Sequence, residues 1–265
     1  TNQGDAISGS VAVFPGSTAA NVGSLTGPVA TTNSNAVGYT TGGTAPYAMT
    51  IDGNNDVFVV NNATSSFVSE FANAGSTATQ STASTTMTAP IGIAADTSSS
   101  TGGPFVYIVA STACASAGTI SEFNNSISGA SPTFVFGDTT PTYTACAAVT
   151  NPIAAPTGTP AGIAVDRNNN LWVVNSANIG TSGIGATYLV TGGTGNIGST
   201  SASSATFSVT GSPTYGFANP YNVAVDGNNN AWFSMVTSGN AIAELGVSTS
   251  SGSPVITALT GNTGL

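Results

Sequence analysis

Apolar and polar positions alternate in short bursts along the chain, and one burst recurs. Residues 160–175 read PAGIAVDRNNNLWVVN. A run of small and apolar residues comes first, then a cluster of Asp and Asn, then a second apolar run rich in β-branched and aromatic side chains. The first run alternates as a strand in a packed sheet does. Asp, Gly and Asn tolerate positive φ and bond to their own backbone, so the polar cluster is a turn. The unit therefore predicts a β-hairpin. It returns as PYAMTIDGNNDVFVVN at 46–61 and as PYNVAVDGNNNAWFSM at 220–235. A fourth version, PIGIAAD at 90–96, continues after an insertion as FVYIVA at 105–110. The anchoring prolines lie 44, 70 and 60 residues apart, so the loops vary in length.

A third strand is predicted after each hairpin: FVSEF at 67–71, TISEF at 119–123, ATYLV at 186–190 and AIAEL at 241–245. Candidate fourth strands are the Thr-rich segment 76–88, PTFVF at 132–136, ATFSVTG at 205–211 and SPVITAL at 253–259. No segment shows helical periodicity, and Gly, Pro and β-branched residues are spread throughout. Four antiparallel strands per repeat predict an all-β fold, a β-propeller of four to five four-stranded blades. We expect one domain over 1–265, with a half-blade at 8–44 and repeats starting near 45, 89, 159 and 219. The half-blade is read from GSVAVFPGS at 9–17, which matches the third-strand text GTISEFNNS at 118–126. An incomplete blade leaves open strand edges, which are templates for pairing.

Charge changes the functional picture. Only 4% of residues are charged, against about 25% in ordinary soluble domains. Arg167 is the one basic residue, His is absent, and the net charge is −9. Such a chain cannot neutralise phosphates, which excludes nucleic acid as a partner. No apolar run reaches the ~20 residues of a membrane helix, so no membrane insertion is expected. Without His or Lys there is no Ser-His-Asp triad, no His-ligated zinc and no Schiff-base lysine. Ser and Thr exceed a quarter of the chain. With a first residue that is Thr rather than Met, this suggests a mature exported chain or a piece of a longer one, at an extracellular or cell-surface location.

Candidate chemistry is sparse. Asp52, Asp96, Asp166 and Asp226 share one repeat position, and Glu70, Glu122 and Glu244 share another. Asp52 and Asp56 alternate with oxygen-bearing side chains as calcium ligands do, but the loop lacks the bidentate Glu of an EF-hand. A hairpin turn is the main reading and calcium the lesser one; no cofactor is otherwise expected. The repeated glutamates could act as paired acids or bases, though their register makes them strand residues first. Phe58, Tyr107, Trp172 and Trp232 occupy one position, suited to packing between blades or, at Trp172 and Trp232, to stacking on a sugar. Cys114 and Cys146 are read as a disulfide of an exported chain. Asn62 and Asn124 head glycosylation sequons, and Thr82, Thr85 and Thr86 are candidates for O-linked sugar.

The motif P-x-G-I-A-V-D-x-x-N-N-L-W-V-V-N, followed by I-S-E-F, resembles the NHL-type repeat and the related six-bladed lactonase-like and streptogramin-lyase-like propellers. The resemblance spans about residues 8–259. It implies a propeller; the lyase-like relatives use a His-based metal site, which this chain lacks. Lactonase-like relatives hold a metal with acidic and amide side chains, and no unique set stands out here. The expected role is a non-enzymatic structural or surface protein that self-associates, with a filament formed through open blade edges. A glycan- or protein-binding propeller is the alternative, and a metal-dependent lactonase-like hydrolase a more distant one.

Overall fold

The structure is a computed structural model. It describes residues 10–11, 39–40, 45–53, 56–62, 67–72, 79–84, 90–97, 104–114, 117–124, 143–144, 160–175, 183–191, 204–209, 220–235, 241–250 and 253–260. These residues are all-β, arranged as four antiparallel four-stranded sheets and one two-stranded pair. The pair joins β1 (Ser10–Val11) to β2 (Tyr39–Thr40) within the expected half-blade.

The first blade runs β3 (Pro46–Ile51), β4 (Val57–Asn61), β5 (Phe67–Ala72) and β6 (Thr79–Ser84). The second runs β7 (Pro90–Ala95), β8 (Phe105–Cys114), β9 (Ala117–Asn124) and β10 (Tyr143–Thr144). The third runs β11 (Pro160–Val165), β12 (Leu171–Asn175), β13 (Gly183–Leu189) and β14 (Ser204–Val209). The fourth runs β15 (Pro220–Val225), β16 (Ala231–Met235), β17 (Ile242–Ser250) and β18 (Ser253–Ala258). Strands pair in chain order within every blade. The second blade closes on Tyr143–Thr144; the segment 132–136 expected there lies outside the described residues.

The first strand of each blade is innermost. β3 touches β7, β7 touches β11, and β11 touches β15. Each of these strands carries the same irregularity, a register shift between the anchoring proline and the residue two positions on. A bulge re-aims one side chain, and the bulged residues Tyr47, Ile91, Ala161 and Tyr221 all line the axial cavity. Proline suits this position, because an edge-strand start needs no ladder donor. The residue after the bulge must be small where inner strands crowd. A Cβ on Gly162 would lie 2.9 Å from Asn222 Oδ1 and 3.1 Å from Asn222 Cα.

The core lies in three seams between blades. In the first seam Phe58, Val60 and Val68 meet Ile93, Val106, Ile108 and Ala110. In the second, Tyr107 and Val109 meet Ile163, Leu171, Val173 and Leu189. In the third, Trp172, Val174, Ala186 and Tyr188 meet Val223, Phe233, Met235 and Leu245. Alternate residues of a strand point to opposite faces, so a second strand between two seams is apolar at every position. VYIV and LWVV are completely buried in this way, and VFVV of the first blade is buried as well. The seam geometry predicts that Gly162→Ala lowers stability by about 1–3 kcal/mol through overpacking against backbone, while Gly227→Ala, with nothing within 4 Å of its Cβ, leaves the urea midpoint unchanged.

Candidate functional site

The acidic turn residues are the natural place to look for chemistry, and each is tied into its own hairpin. Asp52 Oδ1 accepts the N–H of Asp56 at 2.9 Å. Asp96 Oδ1 accepts that of Phe105 across the longer second-blade turn at 2.9 Å. Asp166 Oδ1 accepts from Asn168 and Asn170, and Asp226 Oδ1 from Asn228 and Asn230. The aspartate thus closes the turn whatever the loop length. Asp52 and Asp56 are both buried, and no group of three His, Cys, Asp or Glu side chains able to hold a metal ion occurs among the described residues.

The second carboxylate oxygen takes a donor from an aromatic side chain in blades two to four. Tyr107 donates to Asp96 Oδ2 at 3.3 Å. Tyr188 donates to Asp166 Oδ2 at 2.5 Å and itself accepts from Asn170 Nδ2 at 2.9 Å. In the fourth blade Glu244 stands where the third has Tyr188, each opposite a tryptophan. Trp232 Nε1 then donates to Asp226 Oδ2 at 2.9 Å, and Asn230 Nδ2 to Glu244 Oε1 at 2.8 Å. The Trp172 indole N–H, displaced by Tyr188, makes no hydrogen bond.

Burial first, and then the hydrogen bond to Asp166, pushes the Tyr188 hydroxyl well above its ordinary range. The Trp232 indole, and after it the Asn230 amide, holds Asp226 below the usual carboxylate range.

Turns of successive blades are also joined. Asn169 and Asn229 adopt positive φ of 59° and 70°. Asn169 Oδ1 accepts from the backbone N–H of Thr97 at 3.1 Å, and Asn229 Oδ1 from that of Arg167 at 2.8 Å. Arg167 also donates through its guanidinium to the Gly227 carbonyl at 2.5 Å. The chain's one cation is therefore engaged between the third and fourth turns.

The axial cavity, about 280 Å³, is lined by residues including Tyr47, Met49, Ile91, Gly162, Tyr221 and Asn222. A side-chain hydrogen bond between Tyr47 and Tyr221 spans its first and last inner strands and raises the Tyr47 pKa.

Other predicted residues fall as follows. Trp172 is fully buried, its ring against Tyr188 and Phe233 at centroid distances of 4.9 and 5.8 Å, so it cannot stack on a sugar. Its burial follows from the fourth blade covering it. Trp232 is half-buried. Asn62 follows β4 and donates its backbone N–H to Ala45. Asn124 ends β9 opposite Phe105, and Thr82 lies in β6 opposite Ser69. Cys114 ends β8. Cys146, Thr85 and Thr86 lie outside the described residues. The turn-to-turn asparagine bonds had no separate sequence signal, since an Asn run reads equally as a local turn.

No family model matches the chain, and no curated protein matches it. Solved structures are similar at low identity. A candidate 6-phosphogluconolactonase from Bacteroides uniformis is 14% identical over 81% of this chain, with a TM-score of 0.47; the chain spans 56% of its length. PorZ, a surface component of the type-IX secretion system of Porphyromonas gingivalis, is 13% identical over 76% of this chain and 25% of its own, with a TM-score of 0.42. Virginiamycin B lyase from Staphylococcus aureus is 15% identical over 83% of this chain and 86% of its own, with a TM-score of 0.28.

Two outcomes follow from the turn network. Asn169→Gly keeps the positive φ and loses the two hydrogen bonds its Oδ1 accepts from the Thr97 backbone N–H and hydroxyl, costing about 1–3 kcal/mol. Asn169→Ala adds about 1–2 kcal/mol of left-handed strain, so the order of urea midpoints should be wild type, Gly, Ala. A tyrosine with a raised folded pKa contributes stability that is complete below the unfolded value near 10 and is lost as pH rises above it. Tyr188→Phe should therefore flatten the decline of melting temperature above about pH 10, while lowering stability at neutral pH by stripping Asp166 of a donor.

Proposed function

We propose that this chain is a non-enzymatic structural component of an extracellular or cell-surface assembly, built as a propeller that associates with itself. The observation that carries the reading is the assignment of its acidic groups. Asp52, Asp96, Asp166 and Asp226 each close a turn through Oδ1, so the conspicuous carboxylates serve the scaffold. The composition supports the same role: a hydroxyl-rich chain with 4% charge and a single Arg offers trypsin-like proteases one cleavage position. Calcium at Asp52 and Asp56 is the cofactor that would compete with this reading.

A second reading, a glycan-binding propeller, draws on Trp232. It is half-buried beside the exposed Ile242 on one face of the fourth blade, where an indole can meet a sugar ring.

The deciding measurement pairs a lactone-hydrolysis panel with thermal melts in chelator and in calcium. We expect no turnover and one melting temperature throughout. Turnover abolished by chelation would overturn the structural reading in favour of a metal-dependent hydrolase. Glycan-array binding lost in Trp232→Ala would establish the second reading instead.

A further inference from the structure

The four inner strands share one device. Each has a bulge after its proline, and the bulged residue lines the axial cavity. The second and third strands place Ile91 and Ala161 there. The first and fourth place tyrosine, and the two phenols meet. Tyr47 and Tyr221 are 41% and 53% exposed and share a side-chain hydrogen bond. Water competes for both hydroxyls, so this bond adds little to stability. Its effect is positional: it holds together two rings from opposite ends of the blade series, where a solute can reach them.

Paired phenols have a chemistry of their own. The ortho carbons of a phenol lie two bonds from its oxygen, so a hydrogen bond between the oxygens brings ortho carbons of both rings into one neighbourhood. Loss of an electron and the hydroxyl proton from each ring gives two phenoxyl radicals, with unpaired density on those carbons. Their pairing forms one carbon–carbon bond. The two ortho protons then leave, and both oxygens regain a proton. The net change is the loss of two hydrogen atoms, which hydrogen peroxide accepts on reduction to two waters.

We propose that Tyr47 and Tyr221 form a cross-linking site, coupled to dityrosine by hydrogen peroxide and a peroxidase-type oxidant, so that a covalent staple ties β3 to β15. Three features select this pair. Tyr107 and Tyr188 are buried in seams with their hydroxyls on Asp96 and Asp166, which withdraws them from such an oxidant. Rings already in contact react without a bimolecular encounter, which favours coupling within the chain over coupling between chains. The chain has no lysine, so an amide staple between side-chain amine and carboxyl groups is closed to it. A staple suits the structural reading above, but its chemistry does not depend on that reading.

The test treats the full chain with a haem peroxidase and limiting hydrogen peroxide, then maps peptic peptides by mass. The expected product is a monomer with dityrosine emission and one linked peptide pair holding Tyr47 and Tyr221, lighter by two hydrogens than the separate peptides. Its yield per chain should not change on dilution, and its urea midpoint should rise, because a cross-link restricts the unfolded ensemble. Met49, exposed in the same cavity, gains an oxygen atom instead, so mass separates the two reactions. Tyr47→Phe and Tyr221→Phe should each keep the wild-type melting temperature and lower intramolecular dityrosine at least about tenfold. An oxidised chain without the link between Tyr47 and Tyr221 overturns the inference. So does dityrosine that forms only between chains and falls with dilution, or intramolecular emission that persists in both variants. Lactone turnover by the untreated chain would sink the structural reading and leave the cross-link standing.

Discussion

A β-sheet that is apolar on both faces can exist only between two other layers. That constraint organises this molecule. The second strands of the first three blades are apolar at consecutive positions, so both faces of each sheet must be covered. For the second and third blades, stacking around an axis meets the requirement, with one kind of contact used three times along the row. The inner strands are the tightest place in the stack, which is why the position after the bulge holds glycine in the two blades flanked on both sides. Ala48 and Asn222 take that position in the first and fourth blades.

The hairpin aspartate solves a second problem. Loops of very different length must deliver the same two strands in the same register. Bonding one carboxylate oxygen to the amide that opens the second strand fixes the register locally, and the long turn between Asp96 and Phe105 is closed like the short ones. The other oxygen is left for an aromatic donor, and that donor changes from blade to blade. The four turn aspartates thus carry their charge where backbone amides, and in three blades an aromatic donor, stabilise it.

Much of this architecture was legible in the sequence because hairpin text is local. The runs 46–51 and 57–61, and their three counterparts, became strands, and in the third and fourth blades the expected Asp-Asn turns lie between them. The equivalence of Phe58, Tyr107, Trp172 and Trp232 was also visible, but their different burial was not. Burial depends on the next blade. The clue lay two residues on, where Val174 becomes Ser234 and the strand changes from uniformly apolar to alternating. The bulge after each proline and the bonds between turns were hidden for the same reason: both are set by neighbouring blades across 60 or more residues.

The exchange between Tyr188 and Glu244 has an optical consequence. The chain has two tryptophans. One indole is sealed in an apolar seam with its N–H unbonded, and the other sits at an open surface with its N–H on a carboxylate. Their emission should differ in colour and in access to a soluble quencher. The protein therefore carries two native fluorophores, one reporting the integrity of the third seam and the other whatever touches the outermost blade, without any label being attached.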